Sequence, residues 1–379
     1  MPSRSQRARA RPATWRSAAV VVAVALSSPS SARAQGGVLV QGIADIEAWS
    51  TDTRSTLLTR NNGYPGTVAR VQAWSAVEPW RGLFVFAQGQ AEGGDARAFG
   101  DHYTAVDLTQ AGLRLARDRR VVVNVGKMFH PLAAFAPRSF STRNPLIGAP
   151  DSYSPVYPVG AMVSGELRRI DYRVAAVSLP LTHRDYVPTA GAFARPVAGV
   201  GYTPLVGLRI GATATTGPYL NGTLTTAQTA GRAWQSYHLR QVVGDIEYGV
   251  GHFDIRGEYD YSNYEVPTTG SILGKAAYIE GRYTVAPRLF VAARGEVNHY
   301  PFIRSVAPGL WVARKTFFTD WETGLGFRVT ASTLIKASYR RDTWDVTSAN
   351  AAFVRPGGHA IAVQLSQAFD VMDWVSAIR

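Results

Sequence analysis

The chain contains no cysteine. A disulfide framework and thiolate chemistry are therefore excluded. Beyond residue 34 it has no apolar run near 18 residues, which argues against transmembrane helices. Helical periodicity is almost absent after residue 35. Lysine is scarce, with 36 arginines among the 40 basic residues. Arginine keeps its charge and offers a rigid fork for carboxylate or phosphate, although a GC-rich genome produces the same bias.

The first 34 residues differ from the rest. Arg4, Arg7, Arg9, Arg11 and Arg16 form a basic start without an acid. Ser17 to Leu26 is a short apolar core, and Ala32-Arg33-Ala34 is a small-residue cleavage site before Gln35. This is the pattern of a cleaved secretory signal over 1–34, too short in its apolar run to span a bilayer. Removing its six arginines lowers the formal charge from +13 to +7. The remaining cations are interleaved with acids, so nucleic acid is excluded as a partner.

What the chain does have is alternation. "GDIEYGVGHFDIRGEYDY", residues 244–261, carries Asp245, Glu247, Asp254, Arg256, Glu258 and Asp260 at alternate positions on either side of a glycine-rich break. Ile246, Phe253, Ile255 and Tyr259 lie between them. A period of two is a strand with one polar and one apolar face. The same pattern recurs at 40–49, 83–92 and 289–298. Tight breaks alternate with longer polar stretches, among them 129–159, 262–272 and 300–318. This spacing predicts about sixteen strands over 35–369, with 14 or 18 as neighbouring counts, and a tail over 370–379.

A soluble sandwich also alternates, so alternation alone does not choose. Three features favour a barrel in a membrane. The polar face mixes both signs within one strand, as in Asp254, Arg256 and Glu258, which suits a wet lumen. The apolar face stays clean for long enough to cross a bilayer when tilted. Aromatics gather at the ends of that face, namely Trp49, Tyr202, Tyr248, Tyr261, Tyr283 and Trp321. The expected fold is all-β: a transmembrane, antiparallel, up-and-down barrel whose closed sheet leaves no unpaired edge in hydrocarbon. Sixteen strands enclose more space than side chains fill, so water occupies the centre.

With this pattern the chain resembles the Gram-negative outer-membrane porins. "GDIEYGVGHFDIRGEYDY" and "ETGLGFRVTASTLIKASYRRDTW" (322–344) are similar to the last third of phosphate-selective porin-like barrels. The resemblance implies passive diffusion of small hydrophilic solutes through the outer membrane, no cofactor, a homotrimer, and a third long loop folded into the lumen. That loop is 129–159, stiffened by Pro131, Pro137, Pro145, Pro150, Pro155 and Pro158. A surface lid is the other reading of the same prolines. Two departures stand out. The candidate last strand ends at Phe369 with ten residues still to follow, and no dense basic run supports phosphate selectivity.

Selectivity in a wide pore comes from charges at its narrowest point. The expected lining residues are Arg70, Arg209, Asp254, Arg256, Glu258, Arg282, Arg294, Glu296 and Arg328 on strands, with Arg138, Arg143 and Asp151 on the loop. Lys336 and Arg340 are further lumen cations, and Asp45, Glu47, Asp245, Glu247, Glu280 and Glu322 the opposing acids. A residual charge of +7 leads to an expected mild anion preference. An enzyme is the competing class, because some barrels are hydrolases. The seven histidines, His102, His130, His183, His238, His252, His299 and His359, sit in no G-x-S-x-G or H-E-x-x-H context, so no catalytic or metal site is expected. An adhesin or structural barrel with a blocked lumen remains open.

Overall fold

The structure, a computed structural model, describes residues 38–52, 66–94, 103–153, 156–178, 195–219, 232–267, 270–307, 310–346 and 357–371. At residues 103 and 234 and over 300–307 and 310–316 it describes the backbone alone. The expected signal 1–34 lies outside the described residues, as do residues 372–379 of the expected tail.

Alternating sequence becomes sixteen strands. The first four are β1 (Val38–Thr51), β2 (Gly66–Trp80), β3 (Leu83–Gly94) and β4 (Tyr103–Ala116). Next come β5 (Val122–Lys127), β6 (Val159–Leu167), β7 (Ile170–Val177) and β8 (Arg195–Leu205). Then follow β9 (Leu208–Pro218), β10 (His238–Val250), β11 (Phe253–Val266) and β12 (Gly270–Ala286). The last four are β13 (Leu289–Ala307), β14 (Leu310–Arg328), β15 (Thr333–Trp344) and β16 (Gly357–Asp370). Every strand pairs antiparallel with its sequence neighbours, and β16 pairs with β1 to close the ring.

The two faces separate as the alternation demands. Ile46, Val106, Ile279 and Ile361 are 55–61% exposed on the outside. On the inside Asp45, Glu47, Glu280, Glu322, Lys336 and Arg340 are all buried. Apolar side chains outside and charged ones inside invert the arrangement of a water-soluble sandwich. Tyr202, Tyr261, Tyr283 and Trp321 are exposed on the outer face as expected. Trp49 is not. It shares the parity of Asp45 and Glu47, donates from Nε1 to Glu47 Oε2 at 2.9 Å, and packs inward with Ala360 and Ala362.

One end of the barrel is made of short turns. Arg81–Gly82 joins β2 to β3 and Val206–Gly207 joins β8 to β9. The glycines supply the left-handed backbone these turns need, at φ of 79° and 88°. At the other end two expected loops, 262–272 and 300–318, are largely strand. β13 and β14 run for 19 residues each, although about 9–11 suffice to cross a bilayer. Pairing of β12 with β13 stops at Lys275–His299, and pairing of β14 with β15 at Phe318–Trp344. Beyond those points β13 and β14 pair only with each other, from Tyr300–Thr316 to Ala307–Leu310. Pro301 suggests a loop by composition, but a ribbon strand with a free edge tolerates proline.

Candidate functional site

The strand register assembles charges that are far apart in sequence. Arg209 of β9 stands opposite Glu247 of β10, which stands opposite Arg256 of β11. The row continues through Glu280 of β12, Arg294 of β13, Glu322 of β14 and Arg340 of β15. Its sign alternates at every step, and such directly opposed pairs each contribute about 0.2–1 kcal/mol. One pleat nearer the long loops lies a second row: Asp245, Glu258, Tyr278, Glu296, Asp320 and Asp342. No cation interrupts it, so its carboxylates need donors from elsewhere.

The segment between β5 and β6, residues 128–158, supplies them for Glu258 and Glu296, while Arg209, Arg340 and Trp344 serve Asp245, Asp320 and Asp342. Ala134 N donates to Glu258 Oε1 at 2.9 Å and Asp151 N to Glu296 Oε2 at 2.7 Å. Ile147 N and Gly148 N both donate to Glu322 Oε1, at 3.2 and 3.1 Å. Ser141 Oγ donates to Asp45 Oδ1 at 2.5 Å, and Arg138 Nη2 to the Tyr278 hydroxyl at 2.9 Å. Traffic also runs the other way. Lys336 Nζ donates to the carbonyls of Ser141, Asn144 and Leu146 at 2.8–3.0 Å, and Arg173 Nη1 to that of Ala133 at 3.0 Å. One segment reaches inward side chains of β1, β7, β11 and β15 only from within the ring.

The tip of this segment is seated in an ion cluster. Arg294 donates to Glu296, Glu280 and Glu322 at 2.8–3.2 Å and to the Gly148 carbonyl at 3.1 Å. Arg340 pairs with Asp320 and with Asp151, both at 2.6 Å. A Cβ on Gly148 would lie 2.6 Å from Glu322 Oε2 and 3.0 Å from Arg340 Nη1, so a side chain there would displace these two ion-paired groups. Buried charge is tolerable here because each guanidinium meets several carboxylates at once.

The expected lining residues thus fall into two groups. The loop brings Arg138, Asp151, Glu258, Arg294 and Glu296 together, with Arg138 at 3.9 Å from both Glu258 and Glu280. The others lie apart from this cluster. Arg70 pairs with Glu92 at 2.5 Å and Glu47 at 3.4 Å. Arg209 holds both oxygens of Asp171 at 2.8 Å and also pairs with Asp245. Arg256 pairs with Asp254 at 3.0 Å. Arg282 lies 4.5 Å over the Phe290 ring, and Arg328 is at the short-turn end of β14. Arg143 leans on the loop's own Phe140 at 5.9 Å. Sequence reasoning missed Arg173, Ser141 and Gly148. The parity of Asp171, Arg173, Ala175 and Val177 on β7 is the signal that places Arg173 inside.

Space remains beside the loop. A cavity of about 1210 Å³ on the short-turn side is lined by Arg114, Asp118, Arg119, Glu166, Asp171, Arg173, Arg209 and Glu247. A second, of about 720 Å³, adjoins it along Ala76, Phe86, Gln110 and Phe129. A third, of about 120 Å³, lies above the loop against β10–β13 and includes Glu258, Asp260, Lys275 and Tyr264. His130 and Ala133 line both the first and the third. Burial pushes the His130 imidazole down to about 4, with Arg195 and Arg173 adding to the effect against a backbone bond at Leu132. An acid–histidine pair shown by the structure, Asp52 Oδ2 and His359 Nδ1 at 3.5 Å, sits at the long-loop end, remote from this cluster. His102 and His183 lie outside the described residues.

No family model and no curated protein matches the sequence. Solved structures do match the fold. OmpF of Salmonella typhi, in complex with daunomycin, superposes with a TM-score of 0.60 at 13% identity over 88% of this chain and 97% of its own. An anion-selective porin from Comamonas acidovorans gives 0.58 at 10% identity, over 88% of this chain and 100% of its own. OmpT, an outer membrane protein of Vibrio cholerae, gives 0.57 at 13% identity over 90% and 99%. What these likenesses establish is architecture, and it is that of the Gram-negative outer-membrane porins: a closed sixteen-stranded antiparallel barrel.

Proposed function

We propose that the protein is an outer-membrane porin through which small hydrophilic solutes diffuse passively. One observation carries this reading. The segment 128–158 fills part of a ring of sixteen strands, yet leaves a cavity of about 1210 Å³ beside it, lined by both signs of charge. Carboxylates and guanidiniums at a narrowing let hydrated solutes replace water contacts without a dedicated binding pocket. The residues of 1–34 direct export, and outer-membrane lipid covers the apolar face. Homotrimers are part of the proposal, supported by the Vibrio cholerae OmpT structure in trimer form.

Under this reading the candidate residues divide their work. Arg138, Asp151, Arg294 and Glu296 hold the loop in place, together with Glu258. Arg70, Arg209, Arg256, Arg282 and Arg328, with Asp254 and the loop's Arg143, line the water-filled remainder. A mild anion preference is part of the proposal and rests on the charge of +7 beyond residue 34, since the cavity itself pairs four arginines with four carboxylates.

Protein folded into planar bilayers is expected to give discrete conductance steps, with a reversal potential under a KCl gradient shifted toward chloride. A shift toward potassium overturns the preference alone. A second reading, a plugged structural or adhesin barrel, is favoured by the number of loop pins on Asp45, Glu296, Glu322 and Lys336. Silence from correctly folded protein selects it.

A further inference from the structure

At the short-turn end of the ring, cationic charge is gathered on one arc. The turns β2–β3, β4–β5 and β6–β7 carry Arg81, then Arg117, Arg119 and Arg120, then Arg168 and Arg169, all exposed. The remaining short turns, from β8–β9 round to β14–β15, carry Arg288 as their one arginine or lysine. Acids on the same arc are committed elsewhere. Glu78 accepts from Gly82 N at 2.6 Å, and Asp118 from Arg120 N and Val121 N at 2.8 and 3.2 Å. Glu166 lines the cavity of about 1210 Å³. Among the described residues none of the six arginines forms an ion pair, whereas Arg294 and Arg340 in the lumen each meet more than one carboxylate.

Three further observations set this arc apart. Its turns are tied to one another, so the guanidiniums start from a fixed base. Ala116 N donates to the Gly82 carbonyl at 2.7 Å, Glu166 N to that of Arg119 at 2.9 Å, and the Tyr172 hydroxyl to that of Arg120 at 2.8 Å. Thr203 N donates to the Arg169 carbonyl at 2.8 Å, and Arg169 Nη1 returns a bond to that of Pro204 at 2.9 Å. Secondly, Arg168 holds φ of 58°, a left-handed backbone that Gly82, Gly207 and Gly251 supply in other short turns. A side chain kept there against that preference points to a use for it. Thirdly, apolar side chains lie at the same level. Trp80 is 72% exposed beside Arg81, Leu167 is exposed beside Arg168, and Val206 is 96% exposed on the turn next to Arg169.

We infer that this arc is a docking site for anionic phospholipid, with its phosphates on the arginine forks and its acyl chains against Trp80, Leu167 and Val206. Guanidinium matches phosphate in geometry and carries its charge at any physiological pH. A soluble acidic partner would satisfy the arginines but leave those apolar side chains in water, which is why a lipid is the occupant. The inference takes its orientation from the porin reading, in which short turns face the periplasm, so the lipid belongs to the inner leaflet of the outer membrane.

The test offers the folded barrel in detergent an equimolar mixture of dioleoyl phosphatidylglycerol and dioleoyl phosphatidylcholine, and counts the retained adducts by native mass spectrometry. Retention of the anionic lipid about threefold or more above the zwitterionic one is the expected result. Replacing Arg81, Arg120, Arg168 and Arg169 together by Gln should bring the two to near parity, while Arg288→Gln on the opposite arc keeps the preference. Equal retention by the unmodified barrel overturns the inference. So does a preference that survives the quadruple replacement, or one lost equally in R288Q. Arg168→Gly gives a second readout that does not depend on the quadruple variant folding. Relief of the left-handed strain should raise its unfolding temperature while the lipid preference falls, and Arg168→Lys should keep the preference. R168G with an unchanged preference overturns the inference. Retention is read without current, so a barrel that holds this lipid but gives no channels defeats the porin reading and not the docking site.

Discussion

At the scale of single residues the loop depends on a few groups whose partners are backbone atoms. Lys336 is an example. Its ammonium satisfies three carbonyls at once, and Lys336→Met leaves all three buried without a donor. Destabilisation of about 3 kcal/mol is expected from denaturant unfolding, with larger, noisier channels in bilayers. Gly148→Val should produce the same noise, because a side chain there collides with Glu322 and Arg340. His130 adds a pH dependence. Its folded-state value of about 4 lies below the free value of 6.5, so the displaced loop takes up a proton more readily than the docked one. Docking is thus complete above about pH 6.5 and weakens as pH falls toward 4, where the cation would join Arg173 and Arg195 near Glu258, Asp260, Lys275 and His299. Current fluctuations should rise over that interval, and His130→Asn should flatten the response. Parity made Arg294, Glu296 and Arg340 legible as inward residues. The cage around Lys336 and the seat of Gly148 were not, since they depend on which loop carbonyls arrive from almost 200 residues away.

At the scale of elements, strand positions follow the alternation closely because a one-residue slip would turn every charge toward lipid. The starts at Leu83 and Leu289 are those the pattern marks. Aromatic residues misled where they were weighed above parity, as at Trp49. Pairing also outlasted the pattern at β13–β14, because a two-stranded ribbon outside the bilayer needs no lipid-facing side. Its independence is testable. Replacing residues 301–316 with a two-residue turn removes only pairings between β13 and β14. The expected outcome is a barrel with unchanged resistance to SDS at room temperature. Collapse of the barrel would show that the ribbon carries structural weight.

At the scale of the whole molecule, stability belongs to closure. Each backbone group in the spanning region needs a neighbour strand, and β1 finds one of its two only in β16. The seam between them is close-packed: a Cβ on Gly42 would press on the Phe369 ring and lie 2.6 Å from the Gln72 carbonyl. Gly42→Val should therefore lower the temperature at which the compact band on an unheated gel converts to the slower, unfolded one.

The ring also imposes an order on biogenesis. Its first strand is made more than three hundred residues before the strand that completes it, and in the interval both edges of the growing sheet stand bare. A chain that stopped before Gly357 would not be a slightly weaker vessel. It would yield an open ribbon with nothing to bring its ends together, to be shielded by a helper or destroyed.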